Sequence, residues 1–293
     1  MKTRAIITSA SNKFFPSLLN LLGSIKHAYP NHPPIYVYNL GLLPNFKREI
    51  SSIEGVRLID VPAFVPFWRS CYTWKPYIFK HPMADLNFYL DAGCQVLKPL
   101  DGIFDAIDRD GMFLIYQGGT LGDITPASYI KMFGIQPDLF GLQNLHAGIF
   151  GFAKGGKAQP AIDWIYQAAR AGLALGFSPA EAWRNKGVNK NPFWRDCTLF
   201  RHDMTLLNIA FRTLYGVGLS VHSEEQFAGG RDAHPEQVIW QMRLGYSWLP
   251  FLHLRALHKG FSSVTLFNRL IVHTMILGKN LNLYVKKRLG LAK

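Results

Sequence analysis

Strand-like and helical patterns alternate through the first 120 residues of this 293-residue chain. The segment at residues 5–8 reads as a short buried strand, and apolar residues at helical spacing follow it from Phe15 to Ile25. Later strand-like segments lie at residues 35–38, 56–61, 87–91 and 112–116. Strands that alternate with helices at this spacing form a mainly parallel sheet with helices on both faces. We therefore predict an α/β fold.

The second half of the chain is less regular. Its strand-like segments lie at residues 147–152 and 219–221, and its helical patterns lie at residues 161–174 and 202–214. A stretch rich in Trp, Asn, Lys and Pro at residues 177–197 reads as a long loop, and such loops are usually functional or mobile. We see neither an internal repeat nor a linker, so we predict one domain over residues 1–260.

The basic charge is concentrated at the C-terminal end of the chain. The formal net charge is +13, and no acidic residue follows Glu236. Basic residues mixed with apolar ones suit an anionic membrane surface, where each Lys or Arg contributes about 1 kcal/mol. We therefore predict that residues 261–293 form a basic helical tail that attaches the protein to a membrane. A helix packed against the domain is the alternative, and nucleic acid is not expected because no binding motif accompanies the charge.

Cysteine usage and hydropathy bear on the cellular compartment. Cys71, Cys94 and Cys197 are odd in number and form no CxxC pair, so neither a disulfide framework nor a structural zinc site is expected. The first apolar run is too short for a signal peptide, and no segment reaches the roughly 18 apolar residues of a membrane span. We expect a cytoplasmic protein held peripherally at the inner face of the membrane.

One carboxylate stands at the end of a predicted strand. Residues 87–96 read NFYLDAGCQV, so Asp91 follows an apolar segment and precedes the small residues Ala92 and Gly93. Ligands of open α/β sheets bind at the carboxyl ends of strands, and small neighbours leave room for a bulky anion and its cation. The same three residues are also favoured in turns, so a structural turn is the alternative.

Four segments, taken in order, read YLDAG at 89–93, NLHAGIF at 144–150, HDMTLLN at 202–208 and LHKG at 257–260. Together they resemble the nucleotide-diphospho-sugar glycosyltransferases of the GT-A fold, especially the glycogenin and galactosyltransferase-like families. These families carry Asp-x-Asp, Asn-x-Gly, Asp-Gln-x-x-Leu-Asn and a late His followed by Gly and Lys. This chain departs from the pattern at Gly93, which replaces the second Asp, and at Met204, which replaces the Gln. The resemblance implies a Rossmann-like GT-A sheet and a sugar-transferring enzyme.

The resemblance also implies roles for individual residues. The implied nucleotide-binding residues are Thr8, Ser9, Ala10, Asn12, Lys75 and Asp91. The implied sugar-binding residues are Ala147 and Gly148, and the implied catalytic residues are Asp203 and His146. Asp203 is either a base, a ligand of a sugar hydroxyl or only a helix cap. Likewise, the hydroxyl and amide side chains at residues 8–12 either read the base or cap the helix near Phe14.

A divalent cation, Mn²⁺ or Mg²⁺, is the implied cofactor. Such a cation bridges a diphosphate to carboxylates through oxygen ligands. Because Gly93 removes one carboxylate, the resemblance gives His258 as the second metal ligand beside Asp91. The alternatives are a weakly held metal, or lysine and arginine side chains that offset the diphosphate instead.

We therefore predict a hexosyltransferase-like enzyme that moves a sugar from a nucleotide-diphosphate sugar, most readily a UDP-sugar, to a glycan or lipid-linked acceptor. Its expected setting is the synthesis of cell-surface polysaccharide or glycolipid. Two alternatives stay open. One is a catalytically silent relative that binds a nucleotide or glycan, which the loss of the second Asp favours, and the other is a membrane-bound interaction protein that uses its basic terminus.

Overall fold

The computed structural model describes residues 2–176, 200–228, 234–241 and 281, and they divide into two compact units. The first unit consists of the residues up to Ala5, Val61–Tyr89 and the described part of Asp101–Glu224. The second unit consists of Ile6–Asp60, Leu90–Leu100 and the described residues from Glu225 onward. Each unit is therefore assembled from stretches that are distant in the sequence.

Three parallel strands form the centre of the second unit. They are β1 (Arg4–Ala10), β2 (Ile35–Asn39) and β3 (Val56–Asp60), in the order β3-β2-β1. Helix α1 (Phe15–Ala28) connects the first two strands, and α2 (Pro44–Ser51) connects the last two. The rings of Phe15 and Phe46 stack at a centroid distance of 3.7 Å and join the two helices. The sequence predicts the three strands and α1, whereas it gives no prediction for α2.

The first unit contains the other strands of the central sheet. Strand β4 (Leu86–Leu90) lies beside the start of β1, where the Leu86 N–H donates to the Thr3 carbonyl at 2.9 Å. The remaining elements up to residue 133 are β5 (Cys94–Val96), α4 (Asp101–Asp110), β6 (Met112–Phe113), β7 (Tyr116–Thr120), α5 (Leu121–Ile124) and α6 (Ala127–Phe133), with α3 (Trp74–Lys80) before β4. Of these, β5 belongs to the second unit and pairs there with the late strand at Ile239–Gln241.

The later helices and strands are β8 (Gln143–Leu145), β9 (Ile149–Ala153), α7 (Gln159–Arg170), α8 (Asp203–Tyr215), α9 (Glu224–Phe227) and β10 (Ile239–Gln241). Of these strands, β9 belongs to the central sheet, whereas β8 pairs with β7 and β10 pairs with β5. In the first unit the strand order is β4-β9-β6, and β6 is antiparallel to β9. The prediction of an α/β fold with a mainly parallel sheet flanked by helices is therefore confirmed.

Aromatic side chains fill the core of the first unit. The ring of Phe79 on α3 meets the rings of Tyr89 and Phe150 edge to face, at centroid distances of 5.2 and 5.1 Å. Phe150 in turn contacts Phe211 on α8 at 5.6 Å. Edge-to-face pairs add about 0.5–1.5 kcal/mol beyond the area that they bury. This core fixes α3 and α8, the two helices that carry the candidate site.

Two sequence predictions for strands differ from the structure. The apolar run at residues 112–116 divides into β6 and β7, because the His222 N–H donates to the Leu114 carbonyl and the Tyr116 N–H donates to the His222 carbonyl. The segment at residues 219–221 is not a strand, and only His222 forms an isolated bridge, with Ile115. The alternation of side chains in the sequence could not show that, of residues 219–222, His222 alone forms a bridge with the run at residues 112–116.

The predicted tail at residues 261–293 lies outside the described residues, apart from Leu281. The boundary predicted at residue 260 therefore stays a prediction, as does the attachment of the tail to a membrane. Within the described ranges, no helix is both long enough and apolar enough to cross a membrane.

Candidate active site

A buried ion pair joins the starts of α3 and α8. The Nζ atom of Lys75 lies 2.8 Å from Oδ2 of Asp203, and only 4% and 9% of the two side chains are exposed. Lys75 Nζ also donates to the Ala147 carbonyl at 3.4 Å. The structure thus brings together three residues to which the resemblance assigns roles in nucleotide binding, sugar binding and catalysis.

Two aromatic rings complete the surroundings of the lysine. Its Nζ atom lies 5.2 Å from the ring centroid of Tyr72 and 5.5 Å from that of Tyr89. Both distances are within the range in which a cation is attracted by the face of an aromatic ring. Removing two charges from water costs several kcal/mol per ion, so a buried ion pair is weak evidence for a gain in stability. Buried charges of this kind are instead typical of functional sites.

The backbone is strained at two turns that meet beside this pair. Among the described residues, the non-glycine residues with positive φ are Cys71 (49°), Tyr72 (61°) and His202 (53°). The first turn precedes α3 and the second precedes α8, and the rings of Tyr72 and His202 lie 6.1 Å apart. Left-handed backbone costs a non-glycine residue about 1–2 kcal/mol, and strain of this kind concentrates at functional sites.

Hydrogen bonds hold the turn before α8 in place. The His202 ring donates from Nδ1 to the Ala174 carbonyl at 2.8 Å, so Nδ1 carries the proton. The hydroxyl of Thr205 accepts from the Arg201 N–H and donates to the Ile124 carbonyl, both at 3.0 Å. Burial lowers the pKa of His202, so the imidazole is neutral at pH 7. A neutral, hydrogen-bonded ring therefore precedes Asp203.

Asp203 does not cap its helix. It is the first residue of α8, the cap position belongs to His202, and the His202 side chain makes no capping hydrogen bond. The carboxylate of Asp203 is engaged with Lys75 instead. Met204, which follows, is buried in the core. The helix-cap alternative for Asp203 is therefore wrong.

The turn between β8 and β9 carries the predicted residues His146, Ala147 and Gly148. The Gly148 N–H donates to Nδ1 of His146 at 2.9 Å, and His146 is 2% exposed. Since Nδ1 accepts this bond, the proton of the neutral ring lies on Nε2. His146 in this form is suited to donate a hydrogen bond and to hold the turn, and it cannot accept a second proton without breaking the Gly148 bond.

Asn208 is a site residue to which the sequence analysis gave no role. Its Oδ1 accepts from the Leu145 N–H at 2.7 Å and its Nδ2 donates to the Leu145 carbonyl at 3.0 Å. Both bonds are buried, and they fasten α8 to the last residue of β8. The side chain lies within the HDMTLLN motif, so its place in that motif was the signal that could have identified it.

Cys71 and Tyr72 are the other residues that sequence reasoning missed. Burial, with a smaller contribution from the charge of Asp203, raises the pKa of the Cys71 thiol to about 11. The thiol is therefore protonated at neutral pH. Tyr72 is 41% exposed although its ring lies over a buried cation. Neither residue type favours a left-handed conformation, so nothing in the sequence points to this turn.

The predicted nucleotide-binding residues of the second unit lie at and just after the end of β1. Thr8 and Ala10 are almost completely buried, and Ser9 is 8% exposed. Oδ1 of Asn12 accepts from the Leu43 N–H at 2.7 Å, which ties the loop after β1 to the start of α2. No side-chain cap is made at the start of α1, so the capping alternative does not describe this loop.

Asp91 follows β4 and is half-buried. The Cys94 N–H donates to the Asp91 carbonyl at 2.9 Å, so these residues form the turn that the sequence also allowed. In the described ranges no group of three His, Cys, Asp or Glu residues could hold a metal ion, and His258 lies outside them. The described residues therefore supply one of the predicted metal ligands, which is not by itself a site for a divalent cation.

No family model and no curated protein matches this sequence. Solved structures do resemble it. The galactosyltransferase LgtC in complex with donor and acceptor sugar analogs superposes with a TM-score of 0.54 and 13% identity, over 91% of this chain and 99% of that one. An active-site mutant of LgtC superposes with a TM-score of 0.53 and 13% identity, over 90% of this chain and 99% of that one. The WbbM bifunctional glycosyltransferase, in its apo form, gives 0.51 and 13%, over 88% of this chain and 45% of that one. These likenesses confirm the predicted fold.

Proposed function

We propose that this chain is a glycosyltransferase that moves a sugar from a nucleotide-diphosphate sugar, most readily a UDP-sugar, to a hydroxyl of a glycan or lipid-linked acceptor. The observation that carries the proposal is the buried Lys75–Asp203 pair beside the Ala147 carbonyl. The fold supports it, because LgtC, which has a similar fold, binds donor and acceptor sugar analogs.

Asp203 supplies fixed negative charge at the centre of the proposed reaction. Sugar transfer passes through a transition state with positive charge on the sugar ring, and a preorganised carboxylate stabilises that charge. Lys75 holds the carboxylate in one orientation. The buried ammonium lies against the carboxylate, where the proton of an acceptor hydroxyl would have to bind. We therefore assign Asp203 to charge stabilisation and sugar contact rather than to proton abstraction.

His146 and the two residues after it form the surface on which the transferred sugar rests in this proposal. The Gly148 N–H bond to His146 fixes the turn, and the Nε2 proton gives the ring a donor for hydrogen bonding. Asn208 holds the strand before the turn against α8. The predicted catalytic role of His146 thus becomes one of positioning.

The nucleotide is assigned to the loop after β1 and to Asp91, as the resemblance implies. Mn²⁺ or Mg²⁺, held by Asp91 and His258, would supply positive charge to the diphosphate. Of these two residues, only Asp91 lies within the described part of the chain. Replacing Asp91 with Asn should lower the rate more than about 100-fold, since this carboxylate is the proposed metal ligand beside the diphosphate.

The biological setting is the synthesis of cell-surface polysaccharide or glycolipid at the cytoplasmic face of the membrane. The basic and apolar composition of residues 261–293 supports attachment to an anionic lipid surface, where lipid-linked acceptors lie. Flotation of the full chain with anionic vesicles tests this assignment. Binding that salt does not weaken would contradict it.

The reaction is tested with the purified chain and a panel of nucleotide-diphosphate sugars, by following release of the nucleoside diphosphate with and without manganese. We expect release with at least one donor, and a loss of more than about 100-fold in Asp203→Asn. Asp163→Asn is the matched control, because Asp163 pairs with Lys80 of α3 at 2.7 Å in an exposed position. That variant should keep full activity.

Two outcomes would overturn the proposal. Nucleotide binding without release from any donor would favour the catalytically silent relative, which the Gly93 departure also supports. Equal activity of Asp203→Asn and Asp163→Asn would show that the buried pair has no role in the reaction.

A further inference from the structure

Tyr72 combines exposure with backbone strain beside the buried pair. It is 41% exposed, its φ is 61°, and its ring lies 5.2 Å from Lys75 Nζ. An exposed residue of this kind gains little from burial, whereas its left-handed backbone is costly. Strain persists where the surrounding structure imposes it, and here it places an aromatic ring next to Lys75. The consequence of the strained turn is therefore the position of the Tyr72 ring beside Lys75.

The ring of Tyr72 belongs to an aromatic cluster, which consists of Tyr72, Trp74 and His202. Its ring centroid is 5.3 Å from that of Trp74 and 6.1 Å from that of His202. His202 is fixed in turn by its bond to the Ala174 carbonyl and by an edge-to-face contact with Phe200 at 5.2 Å. The cluster is thus anchored to the first unit through His202.

Trp74 adds an unsatisfied donor to the cluster. Its Nε1 atom is buried and has no hydrogen-bond partner among the residues that the structure describes. The indole nitrogen can only donate, and a buried donor without a partner is costly. A hydroxyl group that accepted this bond would remove the cost.

The electrostatics of the site indicate what kind of ligand the cluster suits. The ammonium of Lys75 already lies 2.8 Å from the carboxylate of Asp203, so the pair offers no uncompensated cation to an anionic ligand. An aromatic face binds apolar surface, while a nearby donor binds a hydroxyl group. An uncharged sugar ring presents both kinds of surface, whereas a carboxylated sugar would need a cation that the pair does not provide.

We infer that Tyr72 and Trp74 form a subsite for an uncharged pyranose beside the Lys75–Asp203 pair. The apolar face of the sugar stacks on the Tyr72 ring, and the Trp74 indole donates to one of its hydroxyl groups. This inference rests on the proposed function and deepens it, because it specifies a neutral sugar as the group that the site binds. Tyr72 acts here in binding and specificity, not in the chemical step.

The test uses simple glycosides as probes and needs no enzymatic turnover. Methyl β-D-galactopyranoside and methyl α-D-glucopyranoside are the neutral probes, and methyl β-D-glucuronide is the charged one. Saturation-transfer NMR measures binding to the full chain, and the ¹⁵N indole resonance of Trp74, assigned by its loss in Trp74→Phe, reports the proposed hydrogen bond. We expect at least one neutral probe to bind and to shift that resonance, and we expect weaker binding of the glucuronide.

Three variants separate the ring of Tyr72 from its backbone. Tyr72→Phe keeps the ring and should bind within about threefold of the wild type, whereas Tyr72→Asn tolerates left-handed backbone but lacks the ring and should lose about tenfold in affinity. Tyr72→Gly provides the same test if the Asn variant does not fold. Phe14→Asn is the control, since Phe14 is a similarly exposed aromatic residue at 43% and belongs to the second unit.

Equal affinities of Tyr72→Asn and the wild type, or no binding of any neutral probe, would overturn the inference. Calorimetric titration with UDP keeps this result separate from the proposed function. If the chain binds UDP and releases it from a donor, but binds sugar independently of Tyr72, only the inference is wrong. If the chain binds the glycosides through Tyr72 but never releases a nucleoside diphosphate, only the proposed function is wrong.

Discussion

Lys75 and Asp203 form an ion pair of 2.8 Å in which both side chains are more than nine-tenths buried. The pair joins two helices, and each helix begins directly after a turn with left-handed, non-glycine backbone. Its charges, its strained turns and the Ala147 carbonyl therefore meet at one place in the first unit.

The buried pair should be strongly coupled. Lys75→Met leaves an unpaired carboxylate and Asp203→Asn leaves an unpaired ammonium, so each should lower the free energy of unfolding by about 3–5 kcal/mol. The double variant leaves no buried charge and should lose clearly less than the sum of the two. Chemical denaturation of the four proteins measures this coupling.

The exposed pair of Lys80 and Asp163 is the control for that cycle. It has a similar distance, 2.7 Å, but its side chains are 34% and 46% exposed. Coupling between Lys80→Met and Asp163→Asn should be at most about 1 kcal/mol. Additive losses at Lys75 and Asp203 would show that the two charges are not stabilised by each other.

The thiol of Cys71 should be alkylated slowly, and the charge of Asp203 should account for part of this low rate. Burial and the Asp203 charge raise the pKa of the thiol to about 11, so little thiolate is present at pH 8. Removing the charge in Asp203→Asn lowers this pKa and should speed alkylation by iodoacetamide severalfold. Mass spectrometry in a Cys197→Ser background follows Cys71, because Cys94 is buried. Asp163→Asn should leave the rate unchanged.

Acid should destabilise the protein partly through His202. Burial lowers the pKa of His202 in the folded chain, whereas the unfolded chain takes up the proton near the ordinary value of 6.5. The stability that depends on the neutral ring is therefore present above pH 6.5 and is lost as the pH falls below it. One group contributes a slope of at most about 1.4 kcal/mol per pH unit.

His202→Asn provides the comparison, because Asn tolerates positive φ. The difference in unfolding free energy between pH 7.5 and 5.5 should be smaller in this variant than in the wild type. His32 and His222, whose pKa values burial also lowers, remain in both proteins and account for the residual slope. An unchanged pH dependence would exclude His202 as a contributor.

Gly151 in β9 should tolerate no side chain. A Cβ atom there would lie 2.5 Å from Cδ1 of Ile107 and 2.8 Å from Cβ of Phe113. Gly151→Ala should therefore lower the unfolding free energy by about 1–3 kcal/mol, and adding Ile107→Val should restore part of the loss. Gly118→Ala is the control, because no described heavy atom lies within 4 Å of its Cβ position. Equal midpoints of thermal unfolding for the two alanine variants would contradict the expected overlap.

Local sequence patterns predicted most of the fold of the described residues. Apolar periodicity gave the strands from β1 to β4 and the helix α1, since strands and helices bury faces with different repeats, but it did not give α2. It failed at residues 112–116 and 219–221, where hydrogen bonds to His222 divide one apolar run. For the site, the resemblance implied roles for Lys75, Ala147 and Asp203, but it left the cap alternative open for Asp203. No residue type marked the turn at Cys71 and Tyr72.

The sequence by itself determined the α/β class and the order of the motif residues, because both follow from short-range spacing along the chain. Only the tertiary structure decided that Lys75 pairs with Asp203, that Nδ1 of His146 accepts a bond from Gly148, and that Tyr72 remains exposed beside a buried cation. The physical reason is that burial and charge pairing depend on which distant segments the packed core brings together. Those contacts impose the left-handed backbone at Cys71, Tyr72 and His202, which their own residue types disfavour.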